Sequence, residues 1–245
     1  MPSAAPVAIL TALPEELAPI LRRAHELTRE GRGRVYRGWL GGVRAVFAAT
    51  GDGPRRAERA ARDLCSQFEP SALYGAGIAG ALTPSLSAFD LIVARRVRDR
   101  AGEAPAPDAE LLTRARSSGD PAAGLLLTVD RPVVDRSQKA ALAAALAGEE
   151  PAAVDMESAG WARAAASHGV PYGVIRAISD TSAEQLPEFL SRCVGADGGI
   201  RRLAVAARAL ARPASIAALL AMRRRLALGA EKLAAFLERL LAEGR

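Results

Sequence analysis

The sequence predicts a single-domain α/β protein: a mixed β-sheet flanked by helices, with an extra C-terminal helical extension. Three observations carry this. Short apolar runs alternate with helix-period segments along most of the chain, the pattern of a sheet covered on both faces. Residues 35–40 and 43–49 flank Gly41-Gly42 and read as a hairpin, which adds an antiparallel part. Half of the 245 residues are apolar and no long linker interrupts them, so one core can hold the chain.

Each element has its own signal. Val7–Ala12 reads as a first buried strand. Pro14-Glu15-Glu16 opens a helix, since proline and acids suit a first turn, and its apolar face is Leu17, Ile20, Leu21, Ala24 and Leu27. Thr50-Gly51-Asp52-Gly53-Pro54 is a glycine turn leading into a helix over Arg55–Phe68. Ser71–Tyr74 is a short strand running into the glycine-rich Gly75-Ala76-Gly77-Ile78-Ala79-Gly80. Asp90–Val97 is a strand, and 98–120 a polar, proline-rich loop with a short helix. Leu125–Val129 is a strand, Gln138–Leu146 and Met156–His168 are helices, and Tyr172–Ile178 is a strand. After Pro187 the pattern is helical, broken at Gly198-Gly199, Pro213 and Gly229.

Composition narrows the class. Aromatics are 4%, so Ala, Leu and Val must fill the core. Cys65 and Cys193 are far apart without metal-ligand spacing, which suits a reducing compartment. Met1-Pro2-Ser3-Ala4-Ala5-Pro6 has no basic region or long apolar run, so no secretory signal is expected. No window offers about 18 uninterrupted apolar residues. A cytoplasmic protein is expected. The net charge of +6 is uneven: residues 191–245 carry 11 Lys/Arg and 4 Asp/Glu, whereas residues 1–190 are near balance. The basicity is therefore a local surface, not the footprint of a nucleic-acid-binding protein.

Two acidic segments stand out. Val154-Asp155-Met156-Glu157 begins a helix, and Val174-Ile175-Arg176-Ala177-Ile178-Ser179-Asp180 ends a buried strand in an acid. Taken singly, each has a plain reading. Asp180 can cap a helix beginning near Ser182. Asp155 and Glu157 can decorate a helix N-terminus, worth roughly 0.3–1 kcal/mol through the macrodipole. Glu16 can be a solvated helix-start acid.

Together, with Gly169-Val170-Pro171-Tyr172 between them, the two segments resemble the nucleoside phosphorylase and nucleosidase superfamily. Its methylthioadenosine/S-adenosylhomocysteine nucleosidases carry Val-Glu-Met-Glu and, about twenty residues on, Arg-Ala-Ile-Ser-Asp. Ala12-Leu13-Pro14-Glu15-Glu16-Leu17 and Gly77-Ile78-Ala79-Gly80 resemble two further segments of these enzymes. The resemblance spans roughly residues 7–190, taken as the catalytic domain, with 191–245 a basic helical extension. It implies cleavage of an N-glycosidic bond, with Asp180 protonating the base and Glu16 positioning the attacking water. Glu157 would hold the ribose hydroxyls, and Met156 would lie against the sugar. Asp155, Gly51, Gly77, Ile78, Ala79 and Val133 are further substrate contacts by position. The family's base-stacking aromatic falls where Pro132 stands, so stacking would come from elsewhere, Phe89 or Tyr172 being candidates. Arg55 and Arg56 beside Gly51-Asp52-Gly53 keep a phosphate site open. No metal or cofactor is expected, and a homodimer is implied.

The tail bears on the substrate. Leu233, Phe236, Leu237, Leu240 and Leu241 fall on one face of a last helix, and Arg223-Arg224-Arg225 precede it. This suits a helical hairpin packed on the body or on a second subunit. It also suits a basic amphipathic element on an anionic membrane, peripheral at the inner face. No aromatic interleaving supports nucleic acid as a partner. The Gly-Ile-Ala-Gly element, Leu186-Pro187 and the long tail are similar to the hopanoid-associated branch, which removes adenine from adenosylhopane. The expectation is therefore an N-glycosidase taking adenosylhopane to ribosylhopane. The alternatives are a soluble methylthioadenosine/S-adenosylhomocysteine nucleosidase, a purine nucleoside phosphorylase, or a non-enzymatic nucleoside-binding module.

Overall fold

The path of the sheet determines where the acids meet. The computed structural model describes residues 5–31, 35–146, 148–149, 151–187 and 213–243. The strands are β1 (Val7–Thr11), β2 (His25–Glu30), β3 (Val35–Leu40), β4 (Val43–Ala49), β5 (Ala72–Ala81), β6 (Leu91–Asp99), β7 (Gly102–Glu103), β8 (Ala122–Thr128), β9 (Ala152–Asp155) and β10 (Tyr172–Asp180). The helices are α1 (Pro14–Arg23), α2 (Pro54–Phe68), α3 (Ala109–Ser117), α4 (Arg136–Ala145), α5 (Ser158–Ser167) and α6 (Pro213–Glu243).

The ten strands among the described residues form one mixed sheet. β5 pairs with β10, β10 with β6, β6 with β8, β8 with β9, and β9 back with β5, so five strands close on themselves. β1, β4, β3 and β2 continue from β5 as a wing. Gly80 of β5 is the hinge of this geometry. It pairs with Val154 on one side and with Asp180 on the other. Two motifs about 25 residues apart in sequence are thereby brought to one strand end.

Apolar clusters lie on both sides of the sheet. One gathers Trp161, Ala165, Ala57 and Leu64 from α5 and α2. The other gathers Leu17 and Ile20 of α1 with Leu233, Phe236, Leu237 and Leu240 of α6. These α6 side chains are almost fully enclosed. Burying each contributes roughly 1.5–3 kcal/mol, so this half of α6 is structural core.

Several elements differ from the sequence reading. α1 stops at Arg23, and Leu27 belongs to β2, where it is 41% exposed. Residues 25–30 are instead drawn into edge pairing with β3, through a bulge between His25 and Thr28. β5 runs ten residues straight through the glycine-rich element, and β9 forms before a helix that starts at Ser158 rather than Met156. α6 passes through Gly229 unbroken, and a side chain there would press on Ile78 Cδ1 and meet Ala177 Cβ. The helix lies so close to β5 and β10 that only glycine fits without displacement. The breaks expected at 198–199 lie outside the described residues. Among the described residues, no helix is long and apolar enough to cross a membrane.

Candidate active site

Glu16 stands three residues into α1, where an acid can reach back to the free N–H groups at the helix start. Its Oε2 accepts from Ala12 N (3.1 Å) and Leu13 N (2.9 Å), and its Oε1 from Ile78 N (3.0 Å). This ties α1 to β5 and fixes the carboxylate at the pocket. Burial raises its pKa above the usual carboxylate value, against the opposing pull of Arg176.

Glu157 occupies the position before α5, but it does not cap that helix. Its Oε1 accepts from Gly53 N (3.1 Å), and its Oε2 lies 3.3 Å from Arg176 Nη2. Burial pushes its pKa up to about 8, with Arg176 pulling down and Asp155 and Glu16 pushing further up. Asp155 is spent internally. It pairs with Arg176 Nη2 at 2.8 Å and accepts from the hydroxyls of Thr128 and Ser158 and from two backbone N–H groups. Its carboxylate therefore frames Arg176 and has little left for a substrate.

Arg176 is fully enclosed, its guanidinium 4.7 Å from the Trp161 ring centroid. Its Nε and Nη1 are buried without a hydrogen-bond partner. A Cβ at Gly77 would strike Nη1 and crowd Glu16 Oε1. Gly77 thus makes room for the charged cluster.

Asp180 ends β10 and is 3% exposed. No helix follows at Ser182, so it is not a cap. Its Oδ2 accepts from Lys139 Nζ, and its Oδ1 is within reach of the Ser179 hydroxyl. A Cβ at Gly80 would crowd both oxygens.

These groups converge. A pocket of about 180 Å³ is lined by Glu16, Glu157, Asp180, Met156, Asp155, Ile78, Ala79 and Val133, so it brings these candidate site residues together. Gly51 and Gly77 do not line it. Asp52, Leu186 and Leu226 do, and were not anticipated. Neither Phe89 nor Tyr172 lines it; the Tyr172 hydroxyl donates to the Pro105 carbonyl. Its apolar wall is aliphatic: Val129, Pro132, Val133, Leu186 and Leu226. The pocket is smaller than the roughly 300–1,000 Å³ of most small-molecule sites. A second cleft of about 490 Å³ adjoins it, sharing Ser179, Asp180, Leu186 and Leu226, and continues along Pro187, Ala221 and Met222.

Among the described residues lining the inner pocket there are acids and no Arg or Lys. Arg55 and Arg56 are exposed and outside it. Among the described residues, no group of three or more His, Cys, Asp or Glu side chains could hold a metal. The arrangement can stabilise positive charge and exchange protons.

Residues 6–221 match the family model of the phosphorylase superfamily. A 5′-methylthioadenosine/S-adenosylhomocysteine nucleosidase from Geobacillus kaustophilus is 29% identical over 205 residues, covering 73% of this chain and 85% of the relative. S-adenosylhomocysteine nucleosidase from Streptococcus pyogenes, solved with 5-methylthiotubericidin, superposes with a TM-score of 0.77 at 20% identity, over 99% of this chain and 98% of that one. Futalosine hydrolase of Helicobacter pylori superposes with a TM-score of 0.74 at 19% identity, over 98% of each chain.

Proposed function

The chain belongs to the phosphorylase superfamily, and from that premise we propose that Glu16, Glu157 and Asp180 carry out its chemistry. The protein is an N-glycosidase acting on adenosine-type nucleosides. We read residues 1–190 as the catalytic domain and 191–245 as an extension, of which the described helix α6 packs on the sheet. The observation that carries the reading is the convergence of these three acids, distant in sequence, on one pocket.

The steps proposed here rest on the family resemblance and are supported by the three acids meeting at one pocket. The C1′–N9 bond breaks, its electron pair leaves with the base, and Asp180, having taken up a proton from solvent on Oδ1 while Oδ2 still accepts from Lys139, delivers that proton to N7 so that the base departs neutral. The ribose is left electron-poor. Glu157, accepting the 2′ and 3′ hydroxyls, and Glu16 lie on its side of the pocket, where fixed negative charge stabilises the developing cation. Glu16 orients a water and takes its proton as the water attacks C1′. Water is preferred over phosphate because the inner pocket presents several carboxylates and, among the described residues, no cation to seat a phosphate. Glu16→Gln is expected to retain nucleoside binding and lose at least about 100-fold in turnover. Full turnover in that variant would remove Glu16 from the mechanism.

The preferred substrate is adenosylhopane, converted to ribosylhopane in hopanoid biosynthesis. The second cleft supports this: Leu186, Pro187, Ala221, Met222 and Leu226 line one part of it, beside the Arg225–Glu184 ion pair and Gln185, and offer apolar contacts leading out from the reacting centre. The alternative substrates, methylthioadenosine and S-adenosylhomocysteine, suit the inner pocket and the sequence relatives at least as well. Adenine release from lipid-linked and soluble adenosine derivatives, with and without phosphate, separates them. Faster cleavage of methylthioadenosine would assign the soluble reaction.

A lipid-linked substrate calls for a membrane surface. The outer half of α6 exposes Leu220 (61%) and Leu228 (49%) beside Arg223 and Arg224. This surface is read as peripheral at the inner face of an anionic membrane. Because α6 also fills the core, charge reversal of Arg223 and Arg224 is the proper test, not truncation. Unchanged co-sedimentation with anionic vesicles would exclude the surface. The family resemblance also supports reading the chain as a homodimer, which sedimentation can check.

A further inference from the structure

We propose that Lys139 is the positioning residue of the base-side acid, holding the Asp180 carboxylate and the segment after it where a leaving base is protonated. The inference rests on the proposed role of Asp180 at N7.

Lys139 lies near the start of α4 and is fully enclosed. Burying an ammonium is costly unless its charge and all its hydrogens are matched. Here they are matched completely. Its Nζ donates to Asp180 Oδ2, to the Thr181 carbonyl (2.7 Å) and to the Glu184 carbonyl (3.1 Å). An ammonium has three hydrogens, so none is left for substrate. Lys139 acts through what it holds.

What it holds is otherwise loosely aimed. β10 has a register shift between Ile178 and Asp180, so strand pairing alone does not fix the acid's direction. The Ser179 hydroxyl can reach Asp180 Oδ1 or the Ala79 carbonyl (3.2 Å), and its one proton serves one at a time. The chain beyond Asp180 carries Leu186 to the pocket wall. It is fastened to the α4 side by Lys139 and by Leu186 N donating to the Val134 carbonyl (2.8 Å). One ammonium thus sets both the acid and the approach to the apolar wall.

The test compares two leaving groups in Lys139→Met and Asp180→Asn. Adenine needs a proton to depart well. 4-Nitrophenolate, on a riboside with the same 5′ group, leaves as a stable anion. Lys139→Met should lower kcat for the adenine nucleoside about 100-fold and leave the nitrophenyl riboside nearly unchanged. The ratio within one preparation does not depend on how much of it is folded. Equal losses on both, or no loss, would overturn the role of Lys139 if Asp180→Asn still discriminates. If Asp180→Asn does not discriminate, the acid itself is misassigned and the proposal for Lys139 falls with it. A binding ratio reads the same contact without turnover. A 9-deazaadenine nucleoside analogue presents N7–H to Asp180, whereas the 7-deaza analogue presents C–H. Lys139→Met should erase the preference for the first, and a preserved preference would overturn the proposal.

Discussion

The two ends of the pocket solve the problem of buried charge in opposite ways. At the sugar end one cation, Arg176, serves Asp155, Glu157 and Glu16, and two of its nitrogens have no hydrogen-bond partner. At the base end one cation, Lys139, serves one acid, and every hydrogen of its ammonium is used. The sugar end therefore has an excess of acid, and burial, with the neighbouring carboxylates adding to it, keeps Glu157 and Glu16 difficult to ionise. That excess is favourable only when something electron-poor lies against it. The base end is balanced, as suits a group that must be held still while a proton moves. The difference separates a site that waits for positive charge from one that is complete beforehand.

Removing the cations should give the largest effect and expose this asymmetry. Arg176→Met leaves three buried acids unmatched and is expected to cost about 3–5 kcal/mol of stability. Lys139→Met strands one acid and should cost clearly less. Urea denaturation of both variants measures this, and equal losses would mean that Arg176 is not shared as the geometry indicates.

Removing the acids should have opposite signs at the two ends. Asp180→Asn takes a charged partner from Lys139 and should destabilise by roughly 1–3 kcal/mol. Glu157→Gln should stabilise the empty protein by roughly 1–2 kcal/mol above pH 8 and change little near pH 5. The sign follows from linkage. The folded pKa of Glu157 is raised to about 8, so the folded state holds a proton that the unfolded chain has already lost. Its contribution is fully present below the ordinary carboxylate value and disappears as pH rises through about 8. Thermal unfolding of wild type and Glu157→Gln across pH 5–9 should show the curves diverging with rising pH. Parallel curves would break the comparison.

Much of this is legible in the sequence. The acids Glu16, Glu157 and Asp180 were readable because each sits in a segment whose types and spacing follow from its job, and the pocket receives all three. The cations were not. Arg176 looks like one residue of a strand, and Lys139 like a surface lysine in an alanine-rich helix. Their burial depends on which strand ends meet, and only the shared pairing of Gly80 with Val154 and Asp180 determines that. β2 and β9 were missed for a related reason. β2 is an edge strand with mostly exposed residues, and β9 is four residues long, so neither leaves a clear apolar period. Gly229 looked like a break because its role is set by contact with another element, not by local propensity.

That contact gives the smallest expected effect and links the tail to the sugar end. Gly229→Ala gains roughly 1 kcal/mol of helix propensity. The added methyl would stand 2.9 Å from Ile78 Cδ1, the movable end of a side chain that also lines the pocket. The two effects oppose each other, and net stability should change by less than about 1 kcal/mol. The pocket should record what stability does not. An Ile78 side chain displaced toward Glu16 and Met156 narrows the space beside the sugar, so KM should rise several-fold while kcat holds. An unchanged KM would mean that Ile78 yields away from the pocket and that α6 approaches β5 without shaping the site.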